Sequence, residues 1–308
     1  MIAIIIVHYG KIETTLNCLY SIAKQTTLND LKNLIVVNNS QTDIGKIIKK
    51  KFKQVPIINN SKNLGYAAAV NIGIKLAIKD NSQLRHPRVQ FFLILNNDII
   101  VKKNFLKNLL YYAKKHRLDI TSPKILDQNG NVWFDGGEID KNRFTAGHKK
   151  GKSDFLSGCC LLIKKHVFEK IGFFDEQYFM YYEDVDFCFR AIKAGFKLEI
   201  DNKTTVYHHV KRTKKGIKLM EYYLARNHLL FLKKHAPLFV KVRELIRFPK
   251  TLWQHYRKKE YAALAGIKDF FIYSVLYQSF YLFLSIQIII FAVYSPLTLP
   301  KKMLRFYS

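Results

Sequence analysis

The chain opens on an unbroken apolar run at residues 2–7, and three more such runs follow at 34–37, 55–58 and 91–95. Runs of this length without polar alternation predict strands buried on both faces. Between them the apolar positions recur at helical spacing, and helices are predicted to start near Thr14, Asp43, Tyr66 and Asn104. Alternating strands and helices imply an α/β fold whose parallel sheet carries helices on both faces. Ligands of such sheets bind beyond the carboxyl ends of the strands. The polar groups that close the runs are therefore the first pointer to a site: His8-Tyr9-Gly10, Asn38-Asn39-Ser40, Asn59-Asn60 and Asn96-Asn97-Asp98.

From about residue 119 the periodicity loosens. Gly136-Gly137, Gly147-His148 and Gly151 mark loops, and residues 155–163 predict one further buried strand. Residues 183–195 predict a helix, with Val185, Cys188, Phe189 and Ile192 on one face and Gly195 as its stop. A short apolar strand at 204–207 ends in His208-His209, after which the chain turns basic and helical. Residues 270–300 contain no charged side chain. Three parts follow: an α/β unit over 1–210, a basic helical extension over 211–269 and an apolar segment over 270–308.

Composition narrows the partners. Lys and Arg number 51 against 23 Asp and Glu, a formal net charge of +28, which favours nucleotide phosphates, nucleic acid or acidic lipid headgroups. Lysine runs such as Lys49-Lys50-Lys51 also fit an ordinary solvated surface, so charge does not choose among these. Cys18, Cys159, Cys160 and Cys188 lie in apolar surroundings without zinc-type spacing, and are expected to be reduced core thiols of a cytosolic protein. The opening apolar run is short and lacks a basic leader, so a buried strand is expected there rather than a signal peptide.

Several groups carry candidate chemistry. Asp98 closes the run 91–95, where a carboxylate suits Mg²⁺ or Mn²⁺; Asn96-Asn97-Asp98 also reads as a simple turn. Glu183, Asp184 and Asp186 open the helix at 183, either as a base able to deprotonate an attacking hydroxyl or as helix caps. Small residues and two asparagines in the stretch from Asn63 through Gly65, Tyr66 and Asn71 to Gly73 suit either close approach of a nucleotide or close helix–sheet packing. His208 can complete a metal shell or meet a departing phosphate, with Lys211, Arg212, Lys214 and Lys215 nearby to stabilise that charge. Arg226-Asn227 reads locally as the polar face of a helix.

In this order the motifs resemble the family-2 inverting glycosyltransferases of the GT-A fold, and among them the rhamnosyltransferase-like branch. Residues 4–9 look like that family's first strand and Val36-Val37-Asn38-Asn39-Ser40 like its base-contacting strand end. Asn63 to Gly73 fits its Asn-x-Gly-aromatic-Ala-x-x-x-Asn-x-Gly pattern, and Asn96-Asn97-Asp98 stands where the family has Asp-x-Asp. Asp135-Gly136-Gly137, Ser157-Gly158 and Gly172-x-Phe174-Asp175-Glu176 resemble landmarks leading to Tyr182-Glu183-Asp184-Val185-Asp186-x-x-x-Arg190. The resemblance spans roughly residues 1–230 and implies a mixed, mainly parallel sheet with flanking helices and a helical C-terminal extension.

It further implies Asp184 as general base beside Glu183, and Asp98 and His208 as ligands of Mg²⁺ or Mn²⁺. Donor contacts would come from His8, Tyr9, Asn38, Asn63, Gly65, Tyr66, Asn71, Asn96, Asn97 and Arg226. Asn38 and Asn96 stand where the family often has Asp, which leaves Asp98 as the one charged ligand and suggests that the metal arrives with the nucleotide. The expected partners are a nucleotide diphosphate sugar, rhamnose among the sugars it could carry, and a glycan or lipid-linked acceptor. The apolar segment and basic region add an anionic membrane surface at the cytoplasmic face, peripheral or shallowly inserted; a buried helix pair or an oligomer interface is the alternative.

Two other classes fit less well. A sugar-nucleotide nucleotidyltransferase is expected to carry a Gly-rich basic loop after its first strand, where this chain has His8-Tyr9-Gly10-Lys11-Ile12. A nucleic-acid-binding protein would interleave aromatics with Lys and Arg, whereas Phe91-Phe92 and Phe173-Phe174 lie in apolar runs.

Overall fold

The computed structural model describes residues 1–25, 33–79, 89–209 and 213–274. The first half alternates strand and helix as its periodicity predicts: β1 (Ile2–His8), α1 (Ile12–Ala23), β2 (Leu34–Asn38), α2 (Gly45–Lys51), β3 (Ile57–Asn59), α3 (Tyr66–Ile78) and β4 (Phe91–Asn96). Then come β5 (Ile99–Val101), α4 (Phe105–Lys115), β6 (Ile120–Asp127), β7 (Val132–Phe134), β8 (Gly137–Ile139), β9 (Ala146–His148) and β10 (Cys160–Lys164). The chain continues through α5 (Lys165–Ile171), α6 (Glu183–Lys193), β11 (Leu198–His208), α7 (Lys214–His235) and α8 (Leu238–Arg257), and residues 261–274 are again helical.

Among the described residues one nine-stranded sheet runs in the order β3-β2-β1-β4-β10-β6-β11-β5, with β7 beside β6. Strands β3, β2, β1 and β4 are mutually parallel, β10 runs against β4 and β6, and β11 is parallel to β6. The sheet is thus mixed and mainly parallel, the expected class. Its centre is almost dry: Ile5, Ile6, Phe92, Leu93, Ile94 and Leu95 are fully buried, which is why these strands show no alternation. Gly73 of α3 has no room for a Cβ, which would lie 2.6 Å from the Ile5 side chain. The small residues of α3 therefore serve helix–sheet packing.

Two departures from the sequence pattern have local causes. The loosened region after residue 119 contains more than one strand, because β6 carries Thr121, Ser122 and Pro123 inside the sheet and so shows no periodicity. Pro123, which donates no ladder hydrogen bond, pairs with Asp201 where the β11 register shifts, and Asp201 Oδ1 accepts from the Lys203 and Thr204 amides within that bulge. The expected strand 155–163 is ordered as β10 only from Cys160. Phe155 and Leu156 are buried without pairing as a strand, and Ser157-Gly158 turns at the sheet edge.

Among the described residues no helix is long and apolar enough to cross a membrane. Residues 275–308, most of the segment read as membrane-associated, lie outside the described residues, as do Lys211 and Arg212. All four cysteines are free thiols; Cys159 is half-exposed and the other three are buried.

Candidate active site

The parallel strands deliver their carboxyl ends to one edge: His8, Asn38, Asn59, Asn96 and His208. At its β1–β3 end a web of amides fixes the loops. Asn39 Nδ2 donates to Asn63 Oδ1 at 2.8 Å and to the Gly65 carbonyl at 3.1 Å, while Asn39 Oδ1 accepts from Asn60 Nδ2 and the Leu64 amide. Asn38 Nδ2 donates to Asn59 Oδ1 and the Thr42 carbonyl, and its Oδ1 accepts from the Ser40 amide. Both Asn38 hydrogens are thus engaged within the protein, and its second oxygen lone pair remains as an acceptor. His8 is fully buried, with Nδ1 2.6 Å from Thr15 Oγ1 and Nε2 without a partner, and burial lowers its pKa. Asn97 Nδ2 reaches Thr15 Oγ1 at 2.9 Å and the Tyr9 carbonyl at 3.1 Å, while the Tyr9 side chain stands in solvent.

Asn97-Asp98 is a two-residue turn from β4 to β5. The turn has a second property. Asp98 Oδ1 lies 3.1 Å from His208 Nε2 across the β5–β11 pairing, yet the carboxylate oxygen makes no hydrogen bond. His208 is nearly buried, and the Trp133 ring meets it edge-on at 4.6 Å, which holds the imidazole plane. Adjacent ligands of an octahedral cation with bonds of about 2.1 Å lie about 3 Å apart. An oxygen and a nitrogen at that separation, close but not bonded to each other, fit two neighbouring positions on Mg²⁺ or Mn²⁺. Asn96 Oδ1 is likewise buried without a partner, its amide having turned toward Cys159 Sγ. Among the described residues no group of three or more His, Cys, Asp and Glu gathers, so this pair is a partial shell that a ligand would have to complete.

Asp184 lies in the first turn of α6, whose N-cap is Tyr182 and bears no side-chain cap. The capping alternative is therefore not what holds these acids. Asp184 Oδ2 accepts from the Gly158 amide at 2.8 Å and Oδ1 from the Val185 amide at 2.9 Å. Tyr66, opening α3, donates its hydroxyl to the Gly158 carbonyl at 2.7 Å, so Gly158 joins α3 to α6. A Cβ there would press on Asp184 at 3.3 Å. Burial raises the Asp184 pKa, while the Gly158 and Val185 amides and nearby His148 pull it back. Glu183 is raised well above the carboxylate range by burial and by Asp184, and its Oε2 has no partner. The Gly158 and Val185 amides favour the charged form of Asp184, whereas Glu183 Oε2 has no such donor. Asp186 belongs elsewhere: burial raises it, but His235 and Arg190 outweigh burial and hold it ionised.

A strained loop precedes Asp184. Phe179, Tyr181 and Tyr182 all have positive φ, at 60°, 63° and 71°. Such conformations cost of order 1–3 kcal/mol each and persist only when neighbours enforce them. Three neighbours do so here. The Tyr66 amide donates to the Phe179 carbonyl at 2.5 Å, the space a Gly65 side chain would need is filled by Phe179, and fully buried Asn227 Nδ2 is shared among the carbonyls of Tyr178, Met180 and Tyr181 at 2.7–2.8 Å. Asn71 works one step back: Nδ2 donates to the Phe174 carbonyl and Glu176 Oε1, and Oδ1 accepts from the Phe174 amide. Arg226 Nη1 donates to the Gln177 carbonyl and to Asn227 Oδ1. Asn227→Ala is expected to destabilise the protein by about 2–4 kcal/mol, the cost of leaving buried carbonyls unpaired. Urea unfolding measures it, and an unchanged midpoint would show that the loop holds itself.

The structure thus brings Asp98, Asn96, His208, Asp184, Glu183 and Tyr66 around Ser157-Gly158-Cys159. The contacts that join them are Asn96 Nδ2 donating to Cys159 Sγ at 3.5 Å, the Gly158 amide donating to Asp184 and the Tyr66 hydroxyl donating to the Gly158 carbonyl. Asn63, Gly65, Asn71 and Arg226 support loops of the same site through the contacts above. Sequence reasoning did not single out Trp133. A lone Trp in an aperiodic stretch carries no local signal, whereas Asn39 was legible as one of the polar strand ends.

A family model described as glycosyl transferase family 2 matches residues 3–172. The dTDP-rhamnosyl transferase RfbF of Shigella flexneri is 26% identical over 242 residues, covering 72% of this chain and 78% of that protein. The N-acetylglucosaminyl-diphospho-decaprenol L-rhamnosyltransferase of Mycobacterium tuberculosis is 27% identical over 203 residues, 58% of this chain and 66% of that protein. Among solved structures, GalNAc-T7 with UDP, GalNAc and Mn²⁺ superposes with a TM-score of 0.55 at 16% identity, over 73% of this chain and 50% of that one. At that identity the likeness speaks for the fold.

Proposed function

The chain belongs to glycosyl transferase family 2, and from that premise we propose that it transfers a hexose or deoxyhexose, rhamnose foremost, from a nucleoside diphosphate donor to a glycan or lipid-linked acceptor, with inversion. Asp184 carries the reading: it is a part-buried carboxylate beside buried Glu183, braced by two backbone amides at the mouth of a helix. Inverting transfer needs one carboxylate to take the acceptor hydroxyl proton as that oxygen attacks the anomeric carbon, with the diphosphate leaving from the opposite side. Asn96 reaches Cys159 and Asp184 reaches the adjacent Gly158, which supports one site holding the leaving-group end and the base end. Burial and the neighbouring Asp184 push the Glu183 pKa up, which would leave Asp184 to accept the proton. Asp98 and His208 would hold a divalent cation, which when bound supplies positive charge for the departing diphosphate. The Asn38 oxygen and the loops braced by Asn39 and Asn63 would seat the base and ribose.

The preference for rhamnose and for a lipid-linked acceptor is supported by the names of the relatives described above. A lipid-linked acceptor and the basic charge support a peripheral position at the cytoplasmic face of a membrane. The test incubates purified protein and Mn²⁺ with dTDP-rhamnose, UDP-glucose, UDP-galactose and a lipid-linked acceptor, and reads the product's anomeric configuration by NMR. Turnover of dTDP-rhamnose with inversion is expected; retention of configuration would refute a single-displacement role for Asp184.

A further inference from the structure

Among the described residues, helix α8 leaves one long face uncovered. Val240 is fully buried, Phe248 meets Phe271 at 5.2 Å, and Glu244, the helix's sole acid, is mostly buried beside Arg243 and Arg247. That side is docked on the protein. The other side shows Leu238, Val242, Leu245, Ile246, Trp253 and Tyr256, at steps of three, four, seven and eight that keep them on one stripe of a helix. They are not grazing the surface: Leu238 is 77% exposed, Ile246 75%, Leu245 68% and Trp253 58%. Single exposed apolar residues are ordinary, but a row of this length along 20 residues is not. Exposed Lys241 borders the stripe on one side, and Lys250 and Arg257 border it on the other.

We propose that this face of α8 lies in the plane of an anionic bilayer, its apolar stripe sunk to the headgroup–acyl boundary and its Lys and Arg among the acidic headgroups. An apolar stripe bounded by cations, with an aromatic pair at one end, is the chemistry of an interfacial helix. Trp253 and Tyr256 have the apolar body and polar tip that suit that depth. A second copy of this chain is a poorer occupant, because its own net charge of +28 would be brought against the same cations, whereas acidic lipid complements them. The inference rests on the peripheral-membrane reading but not on the transfer chemistry. It assigns the contact to α8 rather than to the apolar residues beyond it.

The full-length protein has two tryptophans, Trp133 and Trp253, which allows a direct test. Flotation with vesicles of phosphatidylglycerol and phosphatidylcholine measures partitioning, and brominated lipids quench a tryptophan only at bilayer depth. Wild type is expected to float at low salt and be quenched, and Trp253→Phe to float but lose the quenching. Leu245→Glu with Ile246→Glu is expected to weaken partitioning roughly 100-fold, since two apolar side chains no longer leave water. Both positions are exposed, so the double variant should keep its thermal midpoint and its turnover of a soluble acceptor. Flotation without Trp253 quenching, or an unaffected double variant, overturns the assignment to α8 while leaving membrane association standing. Failure of the wild type to float, or a dimer that masks the face, overturns both.

Discussion

Asp184→Asn is expected to lower transfer by about 10² to 10⁴-fold, the usual loss when a general base is removed, while nucleoside diphosphate affinity stays near wild type. The substitution is close to isosteric, and the amide oxygen can still accept from the Gly158 amide that Asp184 Oδ2 now engages, so the α3–α6 junction should survive. What it removes is the capacity to take a proton. The pH profile gives an independent readout. Burial raises the Asp184 pKa, so the acid limb of kcat/KM should lie above the ordinary carboxylate range, with activity lost as pH falls through that raised value. His148 counts among the groups that pull the Asp184 pKa down, so His148→Ala should move the limb to higher pH without abolishing activity. Initial rates with donor and acceptor, and calorimetry with the nucleoside diphosphate, separate the two effects. Wild-type turnover by a folded Asp184→Asn protein would remove the residue from the chemistry.

The acid cluster was legible in the sequence because three acids opening one helix exceed what capping needs. The sequence could not say how the acids divide. Asp184 meets backbone amides from Gly158, 26 residues earlier, and Asp186 meets His235, 49 residues later, and neither spacing has a local signature. The buried strands were legible for the opposite reason: Ile4-Ile5-Ile6 and Phe92-Leu93-Ile94 have no polar alternation because both faces are covered. β6 was not legible, since its Pro123 is tolerated only because β11 bulges opposite it. The asparagine-rich strand ends stood out as a site, yet much of their amide chemistry is directed inward. Asn39 ties β2 to the Asn63–Gly65 loop, and Asn71 ties α3 to the segment leading to Asp184. A motif that marks a binding site can thus do so by shaping its loops, a distinction visible only in where each amide hydrogen goes.

Asp98→Ala is expected to lower kcat/KM by at least about 10²-fold and to abolish the effect of Mn²⁺ on nucleoside diphosphate binding. A cation that neutralises a departing diphosphate is worth several kcal/mol at the transition state, and each 1.4 kcal/mol is a factor of ten. Asp98 brings the one carboxylate to the proposed shell, beside His208 Nε2 at 3.1 Å, and no third His, Cys, Asp or Glu joins them among the described residues. Removing it should leave His208 too weak to hold the ion alone. His208→Ala should do less harm, because Asp98 and the diphosphate oxygens still attract the cation, and is expected to weaken Mn²⁺-dependent binding about 10-fold or more. Global unfolding is a poor explanation for either loss. The contact between β11 and the β4–β5 turn uses the Asp98 carbonyl, which accepts from the His209 amide at 3.0 Å and is untouched by a side-chain change. Calorimetry with a nucleoside diphosphate, with and without Mn²⁺, decides the matter for wild type and both variants. If wild type binds equally in both conditions, Asp98 is a turn residue beside a histidine and the leaving group must be met by the chain's own cations, with Arg226 on α7 the first to be tested.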